Sequence, residues 1–206
     1  MSEKKNSNFK VNIFVLGNAG VGKTCFILKY INDFFQTNHM TTIGIDLMAK
    51  TITLPSGEEV KIAFYDTAGE EKYRAISFNL IKIADGILLM YDISDRSSFE
   101  ALPGWLDSIR ENKGNDFPIV LIGNKCDLED DRKVKKEEGE KEAEKYELKF
   151  YESSNKEGIN INEPVMDLVS VIMKDIKKNI IENKDKKSYK LRRKKSQKIK
   201  KEKECC

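Results

Sequence analysis

Eight residues, Gly17-Asn18-Ala19-Gly20-Val21-Gly22-Lys23-Thr24, constrain this chain more than any others. Directly before them lies the apolar run Val11-Asn12-Ile13-Phe14-Val15-Leu16, and directly after them a helical pattern runs from Cys25 to Phe34. A strand that enters a glycine-rich turn and leaves it as a helix aims backbone N–H groups inward, at the positive end of the helix dipole, where an anion is held. This is a phosphate-binding loop. In such a loop Lys23 reaches the terminal phosphates as a point charge, and the Thr24 hydroxyl binds the Mg²⁺ that bridges them.

The rest of the chain supplies the layers such a loop needs. Two β-like runs, Ile45 to Leu54 and Val60 to Tyr65, flank Pro55-Ser56-Gly57-Glu58 and read as a hairpin. Gly86 to Tyr91 and Pro118 to Gly123 are short apolar runs without alternation, as expected of strands buried on both faces of a parallel sheet. Between them Ser97 to Asn112 reads as one helix opened by Ser97 and Ser98, with Phe99, Leu102, Leu106 and Ile109 at helical spacing. A charged helix is expected over Lys136 to Glu147, a strand over Leu148 to Glu152, and a last amphipathic helix over Asn162 to Ile181, with Val165, Leu168, Val169, Ile172 and Ile176 on one side. Strand and helix alternate, so the expectation is a three-layer α/β fold with its ligand at the carboxyl ends of the strands. Trp105 and Met90 read as core, His39 as a solvated loop residue, and Glu137 to Glu147 as a solvated face.

With 206 residues, 39% of them hydrophobic, the chain has material for one well-buried domain. The expected organisation is a flexible N-terminus over 1–8, a globular domain over 9–182 and a disordered tail over 183–206. Residues 184–206 carry twelve Lys or Arg against Asp185, Glu202 and Glu204, a balance of +9; the whole chain is at +3, which leaves −6 for residues 1–183. An acidic body is a poor nucleic-acid binder, and the tail is the part with an electrostatic target. No stretch reaches the roughly twenty apolar residues of a membrane span, and Met1 to Lys10 has no signal-peptide core, so a cytosolic protein is expected. The four cysteines form no disulfide framework or metal-ligand spacing and are expected to be reduced.

Asn124-Lys125-Cys126-Asp127 addresses the base. One carboxylate, Asp127, can accept hydrogen bonds from both the N1–H and the exocyclic amine of guanine, while adenine would turn an acceptor toward it. A buried charge left without its donors discriminates by about 10⁴ or more. The Lys125 stem can lie along the base. Asp66-Thr67-Ala68-Gly69 follows the run Lys61 to Tyr65, where Asp66 can hold a Mg²⁺ water and the Gly69 N–H can approach a γ-phosphate.

Gly-x-x-x-x-Gly-Lys-Thr, Thr41-Thr42-Ile43-Gly44-Ile45-Asp46, Asp66-Thr67-Ala68-Gly69, Asn124-Lys125-Cys126-Asp127 and Glu152-Ser153-Ser154-Asn155-Lys156 resemble, in order and spacing, the five nucleotide motifs of Ras-superfamily small GTPases. Ile43-Gly44-Ile45-Asp46, Lys72-Tyr73-Arg74-Ala75-Ile76, Tyr91-Asp92-Ile93-Ser94 and the final Cys205-Cys206 are most similar to Rab proteins. The resemblance covers roughly residues 9 to 181 and the terminus. It implies the P-loop GTPase fold, a mostly parallel six-stranded sheet flanked by helices, and GTP/GDP with Mg²⁺ as cofactors. It places nucleotide contacts at Asn18 through Cys25, at Phe35 near the guanine, at Thr42 as the switch threonine on Mg²⁺, and at Ser154-Asn155-Lys156 over the base. It further implies switch loops at about Gln36 to Ile45 and Gly69 to Ile76. The implied partners are an exchange factor, a GTPase-activating protein, a GDP dissociation inhibitor or escort protein, and effectors. Geranylgeranylation of Cys205 and Cys206 would hold a monomer on the cytoplasmic face of intracellular membranes.

Four departures stand out: Glu70 replaces the usual Gln, Asn155 the usual Ala, Tyr65 the usual Trp, and Leu80-Ile81-Lys82-Ile83 the usual Tyr-Tyr-Arg-Gly. Base contact at Asn155 is expected through its backbone N–H. Glu70, at the catalytic position, can accept from the attacking water but when ionised has no donor for the phosphoryl group. Ala19 adds a methyl near the space an activating protein's finger would enter. Intrinsic hydrolysis is therefore expected to persist while protein-activated hydrolysis is altered. A P-loop phosphotransferase would need an acceptor site that the chain does not display, and a lipid-tethered adaptor would need no nucleotide at all.

Overall fold

The computed structural model describes residues 9–33, 45–67 and 81–181. The chain divides into two compact units, Met1–Val169 and Ser170–Cys206. The first holds β1 (Phe9–Leu16), α1 (Lys23–Asn32), β2 (Ile45–Thr53), β3 (Glu59–Thr67), β4 (Gly86–Asp92), α2 (Arg96–Glu100), α3 (Leu102–Lys113), β5 (Ile119–Asn124), α4 (Lys136–Lys145) and β6 (Lys149–Ser153). A last helix, α5, runs over 162–181.

The six strands make one sheet in the order β2-β3-β1-β4-β5-β6. Only the β2–β3 pair is antiparallel, and the other four pairings are parallel. The hairpin is as expected: Leu54 N donates to Glu58 O and Gly57 N to Leu54 O, closing the turn between β2 and β3. Every residue of β4 and of β5 is buried, which is why both read as unbroken apolar runs. At the sheet's edge β2 is half exposed along its length.

Helices cover both faces because the strands alternate what they present. Phe14 and Leu16 of β1, with Leu89, Tyr91 and Leu121, pack in one cluster with Leu102, Trp105, Leu106 and Ile109 of α3 and Ala143 of α4. Burying each large apolar side chain of α3 contributes roughly 1.5–3 kcal/mol. Tyr30 of α1 meets Phe64 of β3 edge to face, with ring centroids 5.3 Å apart. In α5, Val165, Leu168, Val169 and Ile172 are buried, as their spacing predicts, and Ile176 is half-buried.

The helix expected over 97–112 is two helices. Asp95, not Ser97, is the N-cap of the first: its carboxylate accepts from Ser97 N at 3.0 Å and Ser97 Oγ at 2.7 Å. Pro103 has no N–H to give to Phe99 O, so the first helix stops at Glu100 and a new one begins at Leu102. The charged face of α4 is also less passive than expected. Glu138 accepts from Lys135 N at 3.0 Å, closing a capping box, and from Arg96 Nη1 at 2.6 Å, fastening α4 to α2.

Candidate functional site

The carboxyl ends of β1, β3, β4, β5 and β6 deliver the phosphate loop, Asp66, Asp92, Asn124 and Ser153 to one edge of the sheet. At one end stands the phosphate loop. Gly17, at φ +137°, lies so close to β4 that a Cβ would stand 2.1 Å from Met90 O. Gly22, at φ +97°, caps α1 without a side chain, and no acidic residue occupies the first turn. The positive end of the helix dipole therefore lies at the phosphate loop, the arrangement an anion needs.

Lys23 is buried, and its Nζ donates to Gly17 O at 2.9 Å and Asn18 O at 2.8 Å. Desolvation lowers its pKa to about 8, partly opposed by the Asp66 carboxylate. An ammonium held in that state gains from a phosphate that pairs with it. Thr24 Oγ1 donates to Asp66 Oδ2 at 2.6 Å. Among the described residues no group of three or more His, Cys, Asp or Glu could hold a metal ion by itself. A cation at Thr24 and Asp66 would thus complete its shell with water and ligand oxygens, which is the habit of Mg²⁺ in phosphate sites. These residues fit a Mg²⁺-polyphosphate. Cys25, next along α1, is half-buried, and burial followed by Asp66 pushes its thiol up, keeping it protonated.

At the other end stand the base-motif residues. Asn124 is fully buried; its Nδ2 donates to Val21 O at 2.8 Å and its Oδ1 accepts from Ser153 Oγ at 3.0 Å. Ser154 Oγ donates to Asp127 Oδ1 at 2.5 Å, fixing the carboxylate's orientation. Lys125 adopts φ +66°, and its Nζ forms an ion pair with Asp92 at 2.6 Å. Asp92 Oδ1 in turn accepts from Ser94 N and Ser94 Oγ. Asn155 Nδ2 donates to Gly22 O at 3.0 Å, and Lys156 is exposed. Behind this end Arg132 is held by Glu152 at 2.6 Å and Glu129 at 2.7 Å, contacts that raise its pKa further. The same guanidinium thereby ties the segment after Asp127 to the segment before Ser153.

The structure brings together Asn18, Ala19, Gly20, Val21, Gly22, Lys23, Thr24, Cys25 and Asp66 at the phosphate end, and Asn124, Lys125, Asp127, Ser154, Asn155 and Lys156 at the base end. Phe35, His39, Thr42, Gly69, Glu70, Cys205 and Cys206 lie outside the described residues. Two side chains make contacts at this edge that the sequence did not assign. Asp92 stood in the stretch Tyr91-Asp92-Ile93-Ser94 quoted for the Rab resemblance, with no partner named for it. Trp105, read as core, is 3% exposed, yet its Nε1 donates to Asn18 Oδ1 at 2.9 Å, and no spacing rule links residues 87 positions apart. Tyr65, at the position of the usual Trp, stacks on Phe14 with centroids 4.3 Å apart.

The Ras family model matches residues 12–174. Among curated relatives, Ras-related protein Rab-8 of Diplobatis ommata is 37% identical over 179 residues, 87% of this chain and 85% of the relative. Rab-8B of Homo sapiens is 39% identical over 169 residues, 82% and 81% of the two chains. Rab-13 of Rattus norvegicus is 38% identical over 161 residues, 78% and 79%. A match spanning every strand of the sheet but the first residues of β1, with both ends of the edge inside it, establishes that the chain belongs to the Ras family of small GTPases and is related to Rab-8 and Rab-13.

Proposed function

We propose that the protein is a Rab-type switch that binds GTP and GDP with Mg²⁺, hydrolyses GTP and, in its GTP form, engages effectors in membrane trafficking. One observation carries the reading: Lys23 and the Thr24–Asp66 pair share a single sheet edge with an Asp127 carboxylate oriented by Ser154. GTP bound there supplies the phosphoryl group that water takes up. Lys23 trades the Gly17 and Asn18 carbonyls for phosphate oxygens, Thr24 and Asp66 hold Mg²⁺ or its waters, and Asp127 accepts from guanine. Thr42 and Glu70 are assigned, respectively, to Mg²⁺ ligation and water orientation. Regulators and effectors read the switch segments, as in the relatives' family.

Titration with fluorescent mant-GDP and mant-ADP, with and without Mg²⁺, tests this. GDP should bind at least about 10⁴-fold more tightly than ADP, and chelating Mg²⁺ should weaken it. Comparable affinities for the two nucleotides would remove the guanine reading and leave a general P-loop enzyme.

The terminal Cys205-Cys206 is assigned to double geranylgeranylation. Two lipid chains give stable anchoring where one is marginal, and basic residues near an anionic leaflet add up to about 1 kcal/mol each. Among the described residues no helix is long and apolar enough to cross a membrane. A Cys205→Ser, Cys206→Ser double variant expressed in cells should move from the membrane pellet to the soluble fraction. Undiminished recovery in the pellet would show that something other than those thiols holds the protein there.

A further inference from the structure

Three consecutive side chains at the end of β6 reach three different targets. Ser153 Oγ donates to Asn124 Oδ1, Ser154 Oγ to Asp127 Oδ1, and Asn155 Nδ2 to Gly22 O. The first two serve the base motif itself. The third leaves it and crosses to the phosphate loop, 133 positions away in sequence. Asn155 is 5% exposed, and its Oδ1 is buried without a hydrogen-bond partner among the described residues. The amide's orientation follows from chemistry, because turning it over would set Oδ1 against the Gly22 carbonyl, acceptor to acceptor. Asn124 makes the neighbouring contact, so two buried amides grip the successive carbonyls of Val21 and Gly22. Both amides also fill the space beside Gly22, where a Cβ would stand 2.5 Å from Asn124 Nδ2 and 2.9 Å from Asn155 Nδ2. Gly22 is the residue whose backbone starts α1 and sets the direction of its first N–H groups.

We propose that Asn155 is a positioning residue that straps the base-binding loop to the phosphate loop, so that seating the guanine and seating the β-phosphate reinforce one another and the site favours nucleoside diphosphate over monophosphate. The inference rests on the guanine-nucleotide reading above and deepens it. A side chain that only filled space would be better apolar, since burying an amide oxygen without a partner costs stability. The Asn155 side chain accepts that cost and makes one hydrogen bond, to the loop that carries the phosphate-binding groups. An alanine here would leave Asn124 as the lone amide on this turn and would let the base loop move independently of Gly22.

The test is competition of GDP and GMP against mant-GDP, with Mg²⁺, for wild type, Asn155→Ala and Asn155→Leu. Asn155→Leu nearly keeps the volume and removes the donor without adding charge, so it guards against a packing defect in the alanine variant. The expected result is a GDP-over-GMP preference reduced about fivefold in both variants, the scale of one lost hydrogen bond. GDP affinity that falls while the GDP-to-GMP ratio stays at the wild-type value in both variants would reduce Asn155 to packing and overturn the strap alone. A wild type that binds GDP no better than ADP would overturn the strap together with the reading beneath it.

Discussion

Asp127→Asn should convert the protein from guanine to xanthine nucleotides: GDP affinity falls by about 10⁴ and XDP affinity rises to replace it. The Ser154 hydroxyl, now 2.5 Å from Asp127 Oδ1, favours one orientation of the new amide. Its oxygen already accepts from Glu157 N, so its proton goes to the amide oxygen and the NH₂ group takes the position of Oδ2. Where guanine offers N1–H and an amine to a carboxylate, xanthine offers a carbonyl to that NH₂. Competition of GDP and XDP against a fluorescent nucleotide reads the exchange directly. If the variant loses GDP without gaining XDP, Asp127 holds the loop together and does not face the base.

Gly17→Ala should damage the fold itself, by about 3–5 kcal/mol. Two costs add: the positive φ of +137° strains any L side chain by about 1–3 kcal/mol, and the new methyl meets Met90 O at 2.1 Å, backbone that has no rotamer to escape into. Both elements in that contact belong to the middle of the sheet, so neither β1 nor β4 can yield without disturbing its other neighbour. Gly104→Ala is the comparison. It sits in α3 with open space among the described residues where a methyl would stand, and it should gain about 0.5–1 kcal/mol from helix propensity. Urea denaturation of the three proteins under matched nucleotide and Mg²⁺ decides the matter. A Gly17→Ala midpoint equal to that of wild type would mean the loop enters the sheet along some other path.

What the sequence announced and what it withheld divide along a physical line. Strands β4 and β5 were legible because burial on both faces leaves only apolar residues, and the hairpin because Pro55 to Gly57 break both runs. The phosphate loop was legible because its backbone geometry needs glycine at fixed places. The break at Ala101 was missed because apolar spacing continues through it, and only the absent N–H of Pro103 interrupts the ladder. The Lys125–Asp92 pair and the Asn155–Gly22 contact were missed for another reason. Each joins segments that are neighbours only once β4, β5 and β6 lie side by side, and a periodicity read along the chain carries no record of that.

Trp105 is the chain's one tryptophan, and its indole N–H is bonded to the side chain of Asn18, whose own carbonyl receives Lys23. Ultraviolet light of a wavelength that only indole absorbs therefore excites a single site, 3% exposed and one hydrogen bond from the phosphate loop. A phosphate that drew Lys23 away from the Asn18 carbonyl would change the polarity and rigidity around that indole. The emission of Trp105 would then report the state of the loop, with no dye attached.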